Sequence, residues 1–426
     1  MNRNQAAGSR AQTGLLALAA VTMVSLIVAY PGQAFDASLS GLKVWWDFVF
    51  PALLPFFILS ELLLGFGVVH ALGAMMAPAM RLLFRLPGAG GWAVAMSFAA
   101  GFPSGAKAAA DLRRDGVVSR AEGDRLLALS HLCSPIFLTS VVAAGFLGRP
   151  ELGLPLVAIH LLSALVVGVL IGRTRFGGSI APAPAPAPIP SLGVAPRSGP
   201  RTLASVMADA HRKDGRPLGR LLGDAVASAV QSLLVLGGLM IVFSVLLQLL
   251  SLIGVGEALE WLWRALLQRE APSVLAGGAL AAAFEVHLGA YAIAHGGPPS
   301  AWTAALLSAV IGWGGLSVHA QVKSLIGGTD LRYAPFLLAR LAHAAVAFAL
   351  AFALWNPLLR WFGVATEAFA VRPGGATPSA EPIVAFGGAL PYYAASAQAL
   401  GVFLLAALAL SAAIRLFRRI RSSAVR

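Results

Sequence analysis

Residues 91–116 read GWAVAMSFAAGFPSGAKAAADLRRDG. The stretch begins as a lipid-soluble helix, meets Gly-Phe-Pro-Ser-Gly at Gly101 to Gly105, and then carries Lys107. Pro103 has no N–H to give and keeps Phe102 out of helical geometry. Gly101 and Gly105 permit a turn, and Ser104 can cap a helix that starts beyond it. Amide groups left open inside a bilayer must be met by protein or by water, so a break at this depth belongs against protein or a cavity. The free N–H groups of the new helix suit an anionic or carbonyl-bearing group, and Lys107, one turn in, adds a positive charge. The plainer reading is a proline kink with Lys107 reaching back to the interface. The remainder of the chain favours the site.

Of the 426 residues, 58% are hydrophobic and only 12% charged, which removes the chain from the soluble globular class. Apolar runs of about 20 residues are long enough to cross about 30 Å of hydrocarbon as helix. The short alternating segments of a transmembrane barrel are missing. The fold class is therefore an all-α polytopic membrane protein. The formal net charge of +13 does not imply nucleic acid, because the basic residues fall between the hydrophobic runs, as loop and interfacial charges do. The single cysteine, Cys133, can form no intramolecular disulfide and no metal site alone.

The apolar runs fall into two similar sets. The first helix starts at Thr13 in TGLLALAAVTMVSLIVAY and reads as retained, with its N-terminus inside. A run from Trp45 to about Ala71 contains FPALLPFFILSELLL, where Pro51 and Pro55 predict a kink. Three runs follow, at about 91–110, 126–147 and 155–171. The tract GGSIAPAPAPAPIPSLGVAPRSGP and its basic continuation read as a cytoplasmic linker. The second set spans about 222–252, 274–294, 301–326 and 333–355. FAAGFPSG stands where AAAFEVHLG stands in the second set, and LSHLCSPIFLTSV where IGWGGLSVHAQV stands. A last helix at about 393–413 ends in the basic tail RLFRRIRSSAVR.

Loop charge orients the sets. If the segments at 91–110 and 274–294 return to the side they entered, then Arg81, Arg85, Arg113, Arg114, the linker, Lys323, Arg332 and the tail all lie inside. The first long helix and its counterpart then run in opposite directions, an inverted repeat of the kind found in secondary transporters. The expected layout is eight full crossings and two re-entrant segments, with both termini cytoplasmic. Its parts are an N-terminal helix (1–40), a first repeat (41–172), a linker (173–221), a second repeat (222–356), an extracytoplasmic loop (357–392), and a last helix with its tail (393–426).

Each repeat carries candidate site residues beside its breaks. Ser130, His131, Ser134 and Pro135 crowd the fourth run, where proline frees a carbonyl and small residues admit a neighbouring helix. A lone histidine is more often a satisfied core residue, but His131 stands beside a break. Glu285 has no Asp, Glu, Lys or Arg within ten residues on either side. A carboxylate at that depth must face a wet cavity, find a partner, or bind a proton or cation. His287 can share its cavity if the helix breaks near Gly289. Gly312, Gly314 and Gly315 loosen the next run, ahead of Ser317, His319, Gln321 and Lys323. No HExxH-type spacing supports a metal, and GVGEALE lacks the GK[ST] ending of a Walker loop. No GxSxG surrounds Ser104 or Ser134, so an intramembrane hydrolase is disfavoured and no cofactor is expected.

The motifs GFPSGAKAAADLRRDG, HLCSPIFLTSVVAAGFLG, FEVHLG and GWGGLSVHAQV resemble the bacterial sporulation integral membrane proteins of the YlbJ type, over roughly residues 40 to 360. The resemblance implies two nucleoside-recognition, or gate, domains and a role in forming the heat-resistant spore or its cortex. It falls on Gly101, Pro103, Ser104, Gly105 and Lys107; on Ser134, Pro135 and Phe137; and on Glu285, Gly289, Gly314, Gly315, His319 and Gln321. The Ala-Pro linker and the SPIF sequence depart from the family pattern. The name of the domain is a fold-level analogy and does not identify a solute.

Two functions remain open from the sequence. One is a secondary transporter or channel for a small polar solute, with proton or cation coupling through Glu285. Its site would be lined by Gly101, Pro103, Ser104, Gly105, Lys107, Ser130, His131, Ser134, Glu285, His287, Gly314, Gly315, His319 and Gln321. The other is a membrane scaffold or receptor in envelope assembly, with a packed interior. Membrane lipid is the expected partner, anionic at the inner surface through Arg415, Arg418, Arg419 and Arg421. A homo-oligomer is compatible with the sequence.

Overall fold

The computed structural model describes residues 3–173, 202–258, 261, 265, 273–297 and 299–364, and among them every regular element is helical. The Ala-Pro tract, the expected last helix and the basic tail lie outside the described residues. So does most of the expected extracytoplasmic loop.

Helix α1 (Arg3–Ala29) stops at Tyr30, and Pro31 opens α2 (Pro31–Val44) at the one place where a missing N–H costs nothing. A π-helical turn, Trp45–Val49, joins α2 to α3 (Phe50–Gly65) as one continuous span. There the Phe50 N–H reaches back to Trp45 O. Pro51 cannot donate to the carbonyl four residues earlier and its ring crowds it, so the ladder widens over the preceding turn. The expected run to Ala71 ends early, at Gly65, because Gly67 takes a left-handed φ of 75°. The chain then reverses into α4 (Val68–Leu82), an element the sequence reading did not anticipate.

The remaining helices of the first half are α5 (Gly91–Ala100), α6 (Ser104–Arg114), α7 (Arg120–Leu129) and α8 (Gly153–Arg173), with a π-helical segment Phe137–Phe146 before α8. A capping box of Ser119 and Glu122 starts α7 six residues before the apolar run expected from 126. Part of the expected linker also departs from a featureless tract. Residues Leu203–Asp214 form α9, with Val206, Met207 and Ala210 on one face. That face packs on the α3–α4 turn, where Gly67 lies against Met207 and Ala210, and His211 Nδ1 donates to Gly65 O at 3.0 Å.

The second half comprises α10 (Leu218–Leu252), α11 (Ser273–Phe284), α12 (Val286–His295), α13 (Ala301–Trp313), α14 (Gly315–Ile326) and α15 (Tyr333–Trp361). Both halves contain a tight pair of short helices. Gly289 abuts Ala282 and Gly278 abuts Ile293, so α11 and α12 run antiparallel. Gly105 packs against Ala93 and Ser97, and α6 continues back to the Gly88–Gly90 turn. Only a residue without a Cβ permits these approaches.

Helices from the two halves also pack antiparallel to each other. Gly41 lies against Met240 to Ser244, the Trp45 ring against Gly237, and Gly65 against Leu221. Trp45 Nε1 donates to Leu233 O at 2.9 Å, across the same seam. The His160 ring meets His343, while Val167 and Ile171 cluster with Ala339, so α8 and α15 are opposed in the same way. Small residues let backbones approach where lipid gives no hydrophobic drive to association. One buried apolar cluster runs through both halves, from Val49 and Leu126 to Val286 and Trp355.

Among the described residues, five helical stretches are long and apolar enough to cross a membrane: Pro31–Gly65, Pro150–Arg173, Leu218–Leu252, Ala301–Ile326 and Tyr333–Trp361. The chain is a multi-pass, all-α membrane protein. A Cβ at Gly237 would stand 2.6 Å from the Trp45 ring, whereas one at Gly238 would meet nothing within 4 Å. We therefore expect Gly237→Val to lower the detergent unfolding midpoint, at a cost of about 1–3 kcal/mol from overpacking. Gly238→Val should leave the midpoint near wild type in the same assay.

Candidate functional site

Four interruptions of helix meet in the middle of the fold. The first is Gly101–Pro103, between α5 and α6. Gly101 has φ 68° and ψ −161°, a conformation essentially confined to glycine. The second, Ser130–Ser134, separates α7 from the helical turn at Pro135 that leads into the π-helical segment. The third is Glu285, extended at φ −142° and ψ 121° between α11 and α12. The fourth is Gly314–Gly315, at φ 88° and 78°, between α13 and α14. A Cβ built on Gly101 would lie 3.4 Å from that of Ser134, one on Gly314 3.7 Å from the His131 ring, and one on Gly315 2.9 Å from the Val286 amide. The four breaks thus form one contiguous contact.

Each break exposes backbone groups that have to be paired. At the second, Arg340 of α15 donates to Ala128 O (2.6 Å) and His131 O (2.7 Å). A buried cation here complements the carbonyl end of α7. Ser97 Oγ donates to Ser130 O, Ser130 Oγ to Gly105 O (3.1 Å), and the Cys133 amide to His160 Nε2 (3.1 Å). Ser134 Oγ accepts from Phe137 N at 3.2 Å and so caps the next helix. Arg340 also donates to His343 Nδ1 (3.1 Å), and His343 Nε2 then donates to Ser163 Oγ (2.9 Å).

The second half solves the same problem with different side chains. Glu285, 1% exposed, caps α12 by accepting from Leu288 N (2.8 Å), and its other oxygen accepts from His287 Nδ1 (2.8 Å). Trp313 Nε1 donates to Ala283 O at 3.1 Å. His319 Nε2 faces Trp313 O (3.1 Å), which can only accept, so that nitrogen carries the proton. Its Nδ1 then accepts from the Tyr333 hydroxyl at 2.8 Å.

Two adjoining cavities open along these breaks. The smaller, about 50 Å³, is lined by Gly101, Ser134, Phe137, Glu285, His287 and Gln321, among others. The larger, about 160 Å³, is lined by Pro103, Ser104, Ser60, Glu61, Ser228 and Ser232 among others. Phe57, Ala100, Phe102, Leu236 and Gln321 line both.

The expected site residues therefore divide. Gly101, Pro103, Ser104, Ser134, Glu285, His287 and Gln321 face the cavities. Gly105 and Ser130 are buried behind the first two breaks, Gly314 and Gly315 form the fourth, and His319 braces it. His131 lies beside the breaks, 5.2 Å from the Phe102 ring and 5.0 Å from Phe336, and neither ring nitrogen has a hydrogen-bond partner among the described residues.

Lys107 corrects the expectation. Its side chain is 67% exposed and 4.0 Å from Asp111, so it adds no positive wall. One helical turn, a rise of about 5.4 Å, carries it back from the tip, and Asp111 draws it further along α6. Near it, Arg113 clamps Asp330 at 2.7 and 2.9 Å, tying α6 to the loop before α15. That hydrogen bond holds the Asp330 carboxyl below its ordinary value. The clamp is therefore intact above the ordinary carboxylate range and is lost as pH falls through the lowered value. Glu61, Arg340, His160 and His343 were missed by the sequence reading. Glu61 and Arg340 carry the signal that drew attention to Glu285, an ionisable residue inside an apolar run.

The family described as Gate: Nucleoside recognition matches residues 48–150, which hold the first two breaks. Over 354 residues the chain is 37% identical to the sporulation integral membrane protein YlbJ of Bacillus subtilis (strain 168), covering 82% of this chain and 84% of that protein. The chain belongs to the YlbJ family of sporulation integral membrane proteins. No solved structure matches it. Among the described residues no group of three or more His, Cys, Asp or Glu could hold a metal ion. The matched domain of this YlbJ-family protein is a gate type, in keeping with a non-enzymatic, transport-related membrane protein.

If Arg340 caps α7, then Arg340→Gln orphans two buried carbonyls. We expect a loss of about 3 kcal/mol, the scale of two charge-assisted hydrogen bonds in part offset by relaxation. Arg340→Lys should recover part of it in the same thermal unfolding assay. An unchanged unfolding midpoint in Arg340→Gln would refute the capping role.

Proposed function

We propose that the chain is a secondary transporter or channel that moves a small polar solute through the junction of its four helix breaks, in the service of spore formation. The observation that carries this reading is the pair of adjoining cavities, lined by both halves and ending on Glu285 and His287. A break in a spanning helix offers open N–H and C=O groups to a solute without hydration, as discontinuous transporter helices do. The sporulation role comes from the named relative and its 37% identity.

In this reading residues 41–172 and 222–356 are two inverted gate repeats, joined by the 173–221 linker on the cytoplasmic side. The antiparallel pairing of α2–α3 with α10 and of α8 with α15 supports the inversion. The two helical hairpins are re-entrant, and eight helices cross the bilayer fully, with both termini cytoplasmic. The basic tail meets anionic lipid at the inner surface. Gly101, Ser104, Ser134, Glu285, His287 and Gln321 contact the solute, and Glu285 couples its passage to a proton. The extracytoplasmic loop, expected from 357, starts only after α15 ends at Trp361 and runs to about 392, and a homo-oligomer is compatible with the arrangement.

A scaffold or receptor is favoured by one observation: both oxygens of Glu285 are already engaged within the protein. Flux separates the two. The purified protein in liposomes would be offered a panel of labelled nucleosides, amino acids and small organic acids at several pH values. We expect uptake of one class, with a pH dependence that Glu285→Gln abolishes while the protein still folds. Uptake by Glu285→Gln that matches wild type at every pH would sink the coupling role.

A further inference from the structure

Glu61 sits on α3, in the apolar run FFILSELLL, yet faces a cavity. Its one hydrogen bond among the described residues is accepted from Ser228 Oγ of α10, at 3.3 Å. No Lys or Arg among the described residues forms an ion pair with it. A carboxylate on a spanning helix must meet a partner, water or a proton. Here the surroundings supply hydroxyls from Ser60, Ser104, Ser228 and Ser232 and the carboxamide of Gln321, within walls formed by Phe57, Leu64 and Leu236. Ser60 already donates to Ala99 O. One carboxylate with neutral hydroxyls is a poor cage for a divalent cation, and it is well suited to taking up and giving back a proton.

We propose that Glu61 is a second proton-binding carboxylate, and that the cavity it lines connects Glu285 to the side of the membrane where α9 docks. Glu61 lies one helical turn from Gly65, whose carbonyl accepts from His211 of α9, so the cavity belongs to the linker end of α3. Its continuation is the smaller cavity of Glu285 and His287, and Gln321 lines both. The carboxylate oxygen of Glu61 takes a proton from cavity water, becomes the neutral acid, and releases that proton toward Glu285 or back to the same side. The elements packed against α3 also carry His70 on α4, His211 on α9, and Asp224 on α10, which is held by Arg216 at 3.1 Å. None of these lines the cavity. Lys107 of α6 turns outward to Asp111. Glu61 is therefore the titratable group of the larger cavity among the described residues.

The proposal rests on the transport reading for its purpose, but its test needs no solute. The full chain in lipid nanodiscs is treated with dicyclohexylcarbodiimide, an apolar reagent that adds to protonated carboxyl groups in low-polarity surroundings. Adducts are located by peptide mass spectrometry across a pH series. We expect an adduct on Glu61 in acid that is lost as pH rises, and that is missing in Glu61→Gln. Liposomes loaded with a pH-sensitive dye give the second arm, in which Glu61→Gln slows the relaxation of an imposed pH step. The proposal is overturned if Glu61 gains no adduct at any pH, or gains it to the same extent at every pH. An acid-dependent adduct without flux of any solute supports the proton site and defeats only the transport reading.

Discussion

A backbone amide or carbonyl inside hydrocarbon has no water to bind, and among the described residues four breaks in helix meet at one junction. Everything around the junction follows from pairing the groups so exposed. The first half uses Ser97, Ser130, Ser134, His160 and, above all, Arg340, reaching in from α15 to hold the carbonyls of Ala128 and His131. The second half uses Glu285, Trp313 and His319. The two solutions share no residue type, apart from histidine, yet each places a charged or polar side chain at the end of a helix that stops mid-course. Arg340 comes from the second half and serves the first, so the first half does not close its own breaks alone.

The same economy decides what chemistry the junction offers. Among the described residues, the carboxylates that line the cavities are those of Glu61 and Glu285, whereas Lys107 faces out and Arg340 is engaged by carbonyls. Hydroxyls, one carboxamide and open helix ends supply the rest, in a space of about 160 Å³ beside one of about 50 Å³. A cavity near 150 Å³ holds a molecule about the size of benzene. The conformation described here therefore fits a small solute, or part of a larger one, with little room to spare.

Much of this was legible in the sequence because its causes are local. Proline and glycine break helices wherever they fall, so GFPSG, SPIF and GWGG marked three of the breaks. Glu285 marked the fourth by its isolation. The partners were not legible, since Arg340 meets residues 209 and 212 positions away. Helices α4 and α9 were missed for another reason. Both are amphipathic, with Arg81 in one and His211, Arg212 and Lys213 in the other, so neither reads as a uniform apolar run. Lys107 is near the break along α6 but does not point at it, because Asp111, four residues on, draws its side chain the other way.

The path of residues 91–114 and 273–295 through the bilayer tests the convergence of the breaks most directly. An electron cryo-microscopy map of the chain in a lipid nanodisc would trace both. The expected map shows each segment turning back to the side it entered, with Gly101 against Ser134 and Glu285 against Gly315 between the two headgroup layers. A map in which either segment runs straight from one face to the other would contradict it.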